Sequence, residues 1–169
     1  MKKGLYLAVI MITALCFVFI SGCSEATNWE PTNYEQVNDV DGIKMTVKEG
    51  TVSSTGLTAV IENNSGIDCA YSEAFLLEKK IRGNWYKVPV INENYGFDDI
   101  GYILTPGESM EWNVDWGWLY GSLDAGEYRI VKIIAASKMT ENIDKFLSSD
   151  SNQHILAAEF VISSDEKQQ

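Results

Sequence analysis

Apolar and polar residues alternate along much of the chain, at the spacing of β-strands that have one face buried and the other in solvent. The alternation is clear over residues 43–47, 57–61 and 110–116. Two further runs, 126–136 and 155–162, are apolar on both faces for much of their length. Strands of that composition belong in the middle of a sandwich, where both faces are covered. The pattern therefore predicts a protein built mainly from strands.

Turn-forming residues separate the predicted strands. A glycine-bearing hairpin at 81–84 joins a strand over about 70–80 to a short edge strand that ends before Pro89. Residues 90–104 form a long connection without a regular pattern, and connections of this length inside compact domains are uncommon and often functional. Apolar residues at helical spacing over 140–149 predict a short helical insertion before the last strand.

The number and order of these elements indicate the fold class. About seven or eight short strands, little helix and no regular alternation of strand and helix favour an all-β, antiparallel β-sandwich. The sequence Leu123–Ile130 resembles the corner of immunoglobulin domains, with Tyr128 as the corner tyrosine and Ile130 in the place of their second cysteine. This resemblance implies an immunoglobulin-like sandwich in which a packed apolar pair replaces the disulfide.

Other turn and core motifs extend the resemblance to most of the chain. They are the Asn63-Asn64 pair, the Gly83-x-Trp85 hairpin and the turn that begins at Pro106. With them, residues 39–163 look like the bacterial immunoglobulin-like domain that is found in many short lipoproteins. The resemblance implies a fold and a location, and it carries no active residues.

The first twenty-four residues have the layout of an export signal, in which two lysines precede an apolar run and small residues follow it. The Ile-Ser-Gly-Cys ending resembles the lipobox of bacterial lipoproteins. That resemblance implies that Cys23 receives a diacylglyceryl group, that residues 1–22 are removed as a signal peptide, and that the new amine is acylated with a fatty acid such as palmitate. The alternative is an uncleaved transmembrane helix, since the apolar run is near the lower limit of about 17 residues for a span.

The lipoprotein interpretation sets the organisation of the remaining chain. Residues 23–38 are polar without a sustained period, which predicts a flexible tether. Residues 39–163 would form the domain, and 164–169 a polar tail. We expect a cell-membrane location on the extracytoplasmic face, with the lipid as the link to the membrane.

Charge disfavours two classes of partner. The chain has 13 basic and 24 acidic side chains, and loss of Lys2 and Lys3 with the signal leaves 11 basic ones and a formal charge of −13. Nucleic acid and anionic headgroups are therefore not expected as partners, because their approach costs repulsion instead of releasing counterions. Cys69 is the only thiol left for the domain, so no intrachain disulfide is expected.

Residues that could carry catalysis or hold a metal are few. His154 is the sole histidine, and the sequence has no nucleophile elbow, phosphate-binding loop or zinc-binding histidine pair. Asn94, Asp98 and Asp99 in the long connection could offer oxygens to Ca²⁺, although acidic loops are usually only solvated. We therefore predict neither a cofactor nor enzyme activity, with a hydrolase that uses an unrecognised acidic site as the alternative.

An aromatic segment is the best candidate for a binding surface. Trp116, Trp118 and Tyr120 reach beyond the alternating strand, and exposed aromatic faces stack on sugars and fill interface pockets. The alternative is that Trp112 and Trp116 are core residues while Trp118 and Tyr120 cap the open end of the sandwich. The predicted function is a non-catalytic binding or interaction module for an envelope protein or, alternatively, a carbohydrate-binding module for a glycan.

Overall fold

The computed structural model describes residues 28–98, 100–137 and 153–164. Within these ranges one short helix, α1 (Gly117–Tyr120), accompanies the strands. The strands are β1 (Ile43–Val47), β2 (Gly56–Asn63), β3 (Asp68–Ser72), β4 (Leu76–Ile81), β5 (Asn84–Lys87), β6 (Gly101–Leu104), β7 (Ser109–Asp115), β8 (Gly126–Ser137) and β9 (Gln153–Ile162). The helix predicted over 140–149 lies outside the described residues. In the part of the chain that the structure describes, no helix has the length and apolar character needed to cross a membrane.

The strands form two antiparallel sheets with a shared hydrophobic core. β1, β2 and β7 make the small sheet, with β2 in the middle. In the large sheet β9 pairs along one side of β8, while β4 and β3 pair end to end along its other side. β5 and β6 complete that sheet beside β4 and β3. The predicted all-β antiparallel sandwich is confirmed, with β8 central and β9 at an edge.

The strand predicted over 70–80 is divided in two. β3 ends at Ser72 and β4 begins at Leu76, so the residues between them leave the ladder along β8. Lys132 of β8 donates hydrogen bonds from Nζ to the carbonyl oxygens of Ser72, at 2.6 Å, and Ala74, at 3.3 Å. A buried ammonium group needs such acceptors, because an unpaired charge in the interior is costly. One buried lysine is therefore accommodated by the break in the strand.

The core between the sheets is rich in stacked aromatic rings. Trp116 stacks on Phe160 with 5.4 Å between ring centroids, and Phe160 stacks on Tyr128 at 5.7 Å. Tyr128 Oη donates a hydrogen bond to the carbonyl oxygen of Asp124 at 2.9 Å, which is the contact that a tyrosine corner makes. Ile130, where immunoglobulin domains have a cysteine, is fully buried. Apolar packing therefore stabilises this region in place of a disulfide.

The segment before β1 packs on the large sheet. Thr32 donates its backbone N–H to a carbonyl oxygen of β5 at 3.0 Å, and the carbonyl oxygen of Glu30 accepts a backbone N–H of the same strand at 2.8 Å. Asn38 reaches β9. Its side-chain Nδ2 donates to the carbonyl oxygen of Ala157 at 3.0 Å, and its Oδ1 accepts the backbone N–H of the same residue at 2.9 Å. The prediction of a flexible tether is wrong for this part of the chain. We call residues 30–38 the strap.

The strap covers a buried ion pair on the outer face of the large sheet. Arg129 of β8 donates from Nε to Glu78 Oε2 of β4 at 2.6 Å, and both side chains are almost fully buried. The guanidinium group lies over the ring of Trp85 at 4.6 Å. Its Nη2 also donates to Thr32 Oγ1 and to the carbonyl oxygen of Tyr34, at 3.1 Å each. The strap therefore supplies the acceptors that the buried cation needs.

Candidate functional site

Two of the three predicted surface aromatics are core residues. Trp116 is fully buried, and its Nε1 donates to the carbonyl oxygen of Ser54 at 3.0 Å. Tyr120 is 6% exposed, and its hydroxyl accepts the backbone N–H of Leu77 at 3.4 Å. Burial raises the pKa of Tyr120 to about 12. The prediction that Trp116 and Tyr120 form a binding surface is therefore wrong, because neither ring has a face left to offer.

Trp118 is the exposed member of the predicted set. It lies in α1 with 45% of its surface exposed. Its Nε1 donates to the backbone carbonyl of Asp115 at 3.0 Å, and Asp115 Oδ1 in turn accepts the backbone N–H of Gly117 at 2.8 Å. The bond from Nε1 restrains the orientation of the indole ring. A ring that is fixed before a ligand arrives loses little conformational entropy on binding.

Two aromatic residues of the long connection surround Trp118. Phe97 lies 5.8 Å from the Trp118 ring and Tyr95 lies 6.4 Å from it, both edge to face, and Tyr95 lies 5.9 Å from Phe97. Phe97 also packs edge to face on Phe75 at 5.3 Å, which ties the group to the core. Tyr95 is 40% exposed. We call Tyr95, Phe97 and Trp118 the aromatic cluster.

A cavity of about 470 Å³ adjoins the aromatic cluster. It lies between the long connection and the outer face of the large sheet, beside the break between β3 and β4. Its volume is within the range of roughly 300–1,000 Å³ that small-ligand pockets have. Apolar lining side chains include Ala74, Leu76, Tyr95, Phe97, Val131 and Ile133. Ile133 is 42% exposed, so part of this apolar surface faces solvent.

Two carboxylates belong to residues that adjoin lining residues of the cavity in the sequence. Glu73 follows the lining residue Ser72, and Asp98 follows Phe97. Both act on Tyr102, since a hydrogen bond with Glu73 is the main cause that raises the pKa of Tyr102, and the charge of Asp98 raises it further. The two carboxylates therefore lie on the same side of the molecule, next to an apolar opening.

Lys132 bonds the backbone of two residues that line the cavity, and it is buried in the interior. Its Nζ lies 3.6 Å from the ring centroid of Trp112, and its side chain is 1% exposed. Burial lowers the pKa of Lys132 to about 8, against the opposing charges of Glu73 and Cys69. Cys69 is itself buried, which raises the pKa of its thiol to about 11. Neither group has a face in solvent at which it could react.

The other predicted site residues receive less support. Asn94 donates its backbone N–H to Asn92 Oδ1 at 3.1 Å, and Asp98 lies near Tyr102, while Asp99 is outside the described residues. Over the described ranges, no group of three or more His, Cys, Asp or Glu side chains could hold a metal ion. Cys23 also lies outside the described residues.

His154 does have an acidic neighbour that sequence spacing does not reveal. Its Nδ1 lies 3.2 Å from Asp39 Oδ1. The contact connects the start of β9 with the residue that follows the strap. Half of the Asp39 side chain remains exposed to solvent. The pair is therefore a surface contact between two segments.

Comparison with known proteins yields one match. The model of a family described as "Bacterial Ig-like domain" matches residues 39–154, which is more than half of the chain. No curated protein matches the chain, and no solved structure matches it. The family description names no ligand, so a ligand has to be argued from the aromatic cluster and the cavity.

Proposed function

Because the chain belongs to the family of bacterial immunoglobulin-like domains, we propose that it is a non-catalytic binding module that a lipid on Cys23 anchors to the extracytoplasmic face of the cell membrane. Such a module acts by presenting a rigid surface to a partner. The observation that carries this proposal is the aromatic cluster beside an apolar cavity, supported from below by the core.

The anchor rests on the sequence before the domain. Two lysines, an apolar run and the Ile-Ser-Gly-Cys ending resemble a lipoprotein signal. The acidic charge of the domain supports a lipid link, since a protein of formal charge −13 has little electrostatic attraction to anionic headgroups.

Cys23→Ala tests the anchor. The substitution removes the thiol that would carry the diacylglyceryl group, so we expect an unprocessed precursor that retains residues 1–22. Intact-mass spectrometry of the membrane fraction measures both the cleavage and the lipid. Cys69→Ala is the matched control, because that thiol is buried in the domain and its loss should leave processing unchanged. An unmodified Cys23 in the mature wild-type protein would remove the anchor from the proposal.

The binding surface is tested by the double substitution Tyr95→Ala with Trp118→Ala. Both rings are partly exposed, so the domain should stay folded while its binding weakens, since aromatic anchors contribute on the order of 2 kcal/mol or more each at an interface. Binding to an array of glycans and envelope proteins gives the readout. Val161→Ala is the control, because Val161 is an exposed apolar residue of β9 that does not line the cavity. A folded double variant with the wild-type binding profile would move the binding surface elsewhere.

Glycan binding is the second candidate. It is favoured by the half-exposed indole ring of Trp118, because sugar rings stack on aromatic faces. The same array separates the candidates, since a glycan binder responds to sugars and an interaction module responds to proteins.

A further inference from the structure

The cavity beside the aromatic cluster offers no charged partner to a ligand group inside it. None of the described residues that line it is charged, and its polar lining side chains are those of Ser72, Gln153 and Tyr95. Because burying an unpaired charge is costly and most of the lining side chains are apolar, the cavity suits an apolar group. The exposed side chain of Ile133 lies at the entrance of this space and would lose its contact with water when the group enters.

The surroundings of the cavity select for positive charge. Glu73 and Asp98 adjoin lining residues and both act on Tyr102, and Trp118 and Tyr95 of the aromatic cluster are 45% and 40% exposed. Aromatic faces attract Lys and Arg side chains, with Trp the most effective of the three aromatic residues. Elsewhere the domain already uses such contacts, with Arg129 over the ring of Trp85.

Within the described residues, no basic side chain of the domain forms an ion pair with Glu73 or Asp98. Five basic residues pair with other acids: Lys44, Lys48, Lys80, Lys87 and Arg129. Lys132 lies behind the wall of the cavity, in the interior of the protein, where carbonyl oxygens and the Trp112 ring contact its ammonium group. A partner that brings its own cations would therefore meet acceptors and aromatic faces together.

We infer that the cavity and the aromatic cluster bind a basic polypeptide segment, which places one large apolar side chain in the cavity and flanking Lys or Arg side chains against Glu73, Asp98 and Trp118. This inference rests on the proposed binding function and specifies its partner by chemistry. The overall negative charge of the domain adds to it, since opposite net charge raises the association rate and makes binding dependent on salt.

The test uses a peptide with the sequence Ac-Arg-Lys-Phe-Lys-Arg-NH2 and the folded domain, with binding measured by titration calorimetry. We expect affinity to fall about tenfold or more when the central Phe is replaced by Gly, or when the four cations are replaced by Glu, because each change removes one of the two contacts. Binding should also weaken as salt rises. Equal affinity for the acidic peptide, or no binding of the basic peptide at millimolar concentration, overturns the inference.

Matched variants of the domain locate the contact. Ile133→Lys places a cation at the cavity and should abolish peptide binding, whereas Val161→Lys makes the same change of net charge on an exposed position of β9 and should weaken it only slightly. Glu73→Gln with Asp98→Asn should reduce the salt dependence. Equal loss in both lysine variants would mean that net charge alone attracts the peptide, which overturns the assignment to the cavity.

Other occupants give different results. If the Tyr95→Ala, Trp118→Ala variant loses glycan binding while the peptide never binds, the binding function stands and the peptide inference fails. If sedimentation shows a dimer that Ile133→Lys dissociates, the cavity face joins two copies of the chain, and the peptide inference again fails.

Discussion

The outer face of the large sheet has two halves that differ in how they are covered. Around Arg129, the strap lies across the sheet and supplies acceptors from Thr32 and Tyr34. Four residues farther along β8, Ile133 is 42% exposed beside the cavity. The covered half is polar and bonded to its own chain, and the open half is apolar. Among the described residues, the chain therefore covers one half with its own strap, and the other half is the one to which we assign the proposed partner.

The two halves also differ in how far their stability depends on a cover. A buried ion pair is about as stable as apolar residues of the same volume only while its members keep their partners. Glu78 already has one oxygen, Oε1, with no hydrogen-bond partner among the described residues. The covered half therefore depends on the strap, whereas the described side chains that line the cavity of the open half are mostly apolar and none is charged.

The largest expected effect comes from breaking the covered half. Arg129→Ala would leave Glu78 buried without its cation, and we expect the free energy of unfolding to fall by about 3–5 kcal/mol. Denaturant unfolding followed by tryptophan fluorescence measures the change. The double variant Arg129→Met with Glu78→Met, which removes both charges, should recover most of the loss. A single variant as stable as the wild type would mean that the ion pair does not hold this half together.

A smaller effect is expected where the halves meet, at the break that Lys132 occupies. Burial lowers the pKa of Lys132 from 10.5 to about 8, so above pH 8 the unfolded chain binds more protons than the folded domain and stability rises with pH. Between pH 8 and 9 the gain should be about 1 kcal/mol. At higher pH the raised pKa values of Cys69, about 11, and of Tyr71, about 12, act in the opposite direction, because the unfolded chain loses those protons first.

Comparison with Lys132→Met isolates this contribution. Unfolding free energies of both proteins are measured at several pH values up to 9, where the Cys69 thiol of the unfolded chain, with its ordinary pKa of 9.0, begins to ionise in both proteins alike. The variant should lack the rise with pH. A rise of the same size in the variant would assign it to other groups.

The smallest effect is expected in the open half. Ile133→Ser removes an apolar side chain that is already 42% exposed, so the free energy of unfolding should change by less than about 0.5 kcal/mol. Peptide binding should nevertheless weaken. A large loss of stability would show that Ile133 supports the fold, and the comparison between the halves would then lose its basis.

The sequence is sufficient to predict the elements that depend on repeated burial. Strand β1 has the bounds predicted from its alternation, and the corner at Tyr128 makes the expected contact with Asp124. Alternation also places Trp112 and Trp116 on one face, and both are buried, as the alternative interpretation of the aromatic segment had it. Patterns of this kind are informative because every second side chain contributes to the same core.

Features that depend on single polar contacts were not predictable. The strap is bonded through its backbone and through the amide of Asn38, neither of which produces a hydrophobic period. The break between β3 and β4 accommodates Lys132, which stands in the otherwise apolar run 130–136. Tyr95 and Phe97 were visible as aromatic residues of a long connection, but only the fold brings them to Trp118.

The strap has a consequence for how far the domain could stand from a membrane. Trp29, just before the strap, packs against the core, and six peptide steps separate it from Cys23. An extended chain covers at most about 3.5 Å per residue, so a lipid on Cys23 would keep Trp29 within about 20 Å of the bilayer surface. The protein would then diffuse in two dimensions with one edge close to the headgroups. Partners attached to the same membrane would meet it by lateral diffusion, and a soluble partner would have to enter that thin layer to bind.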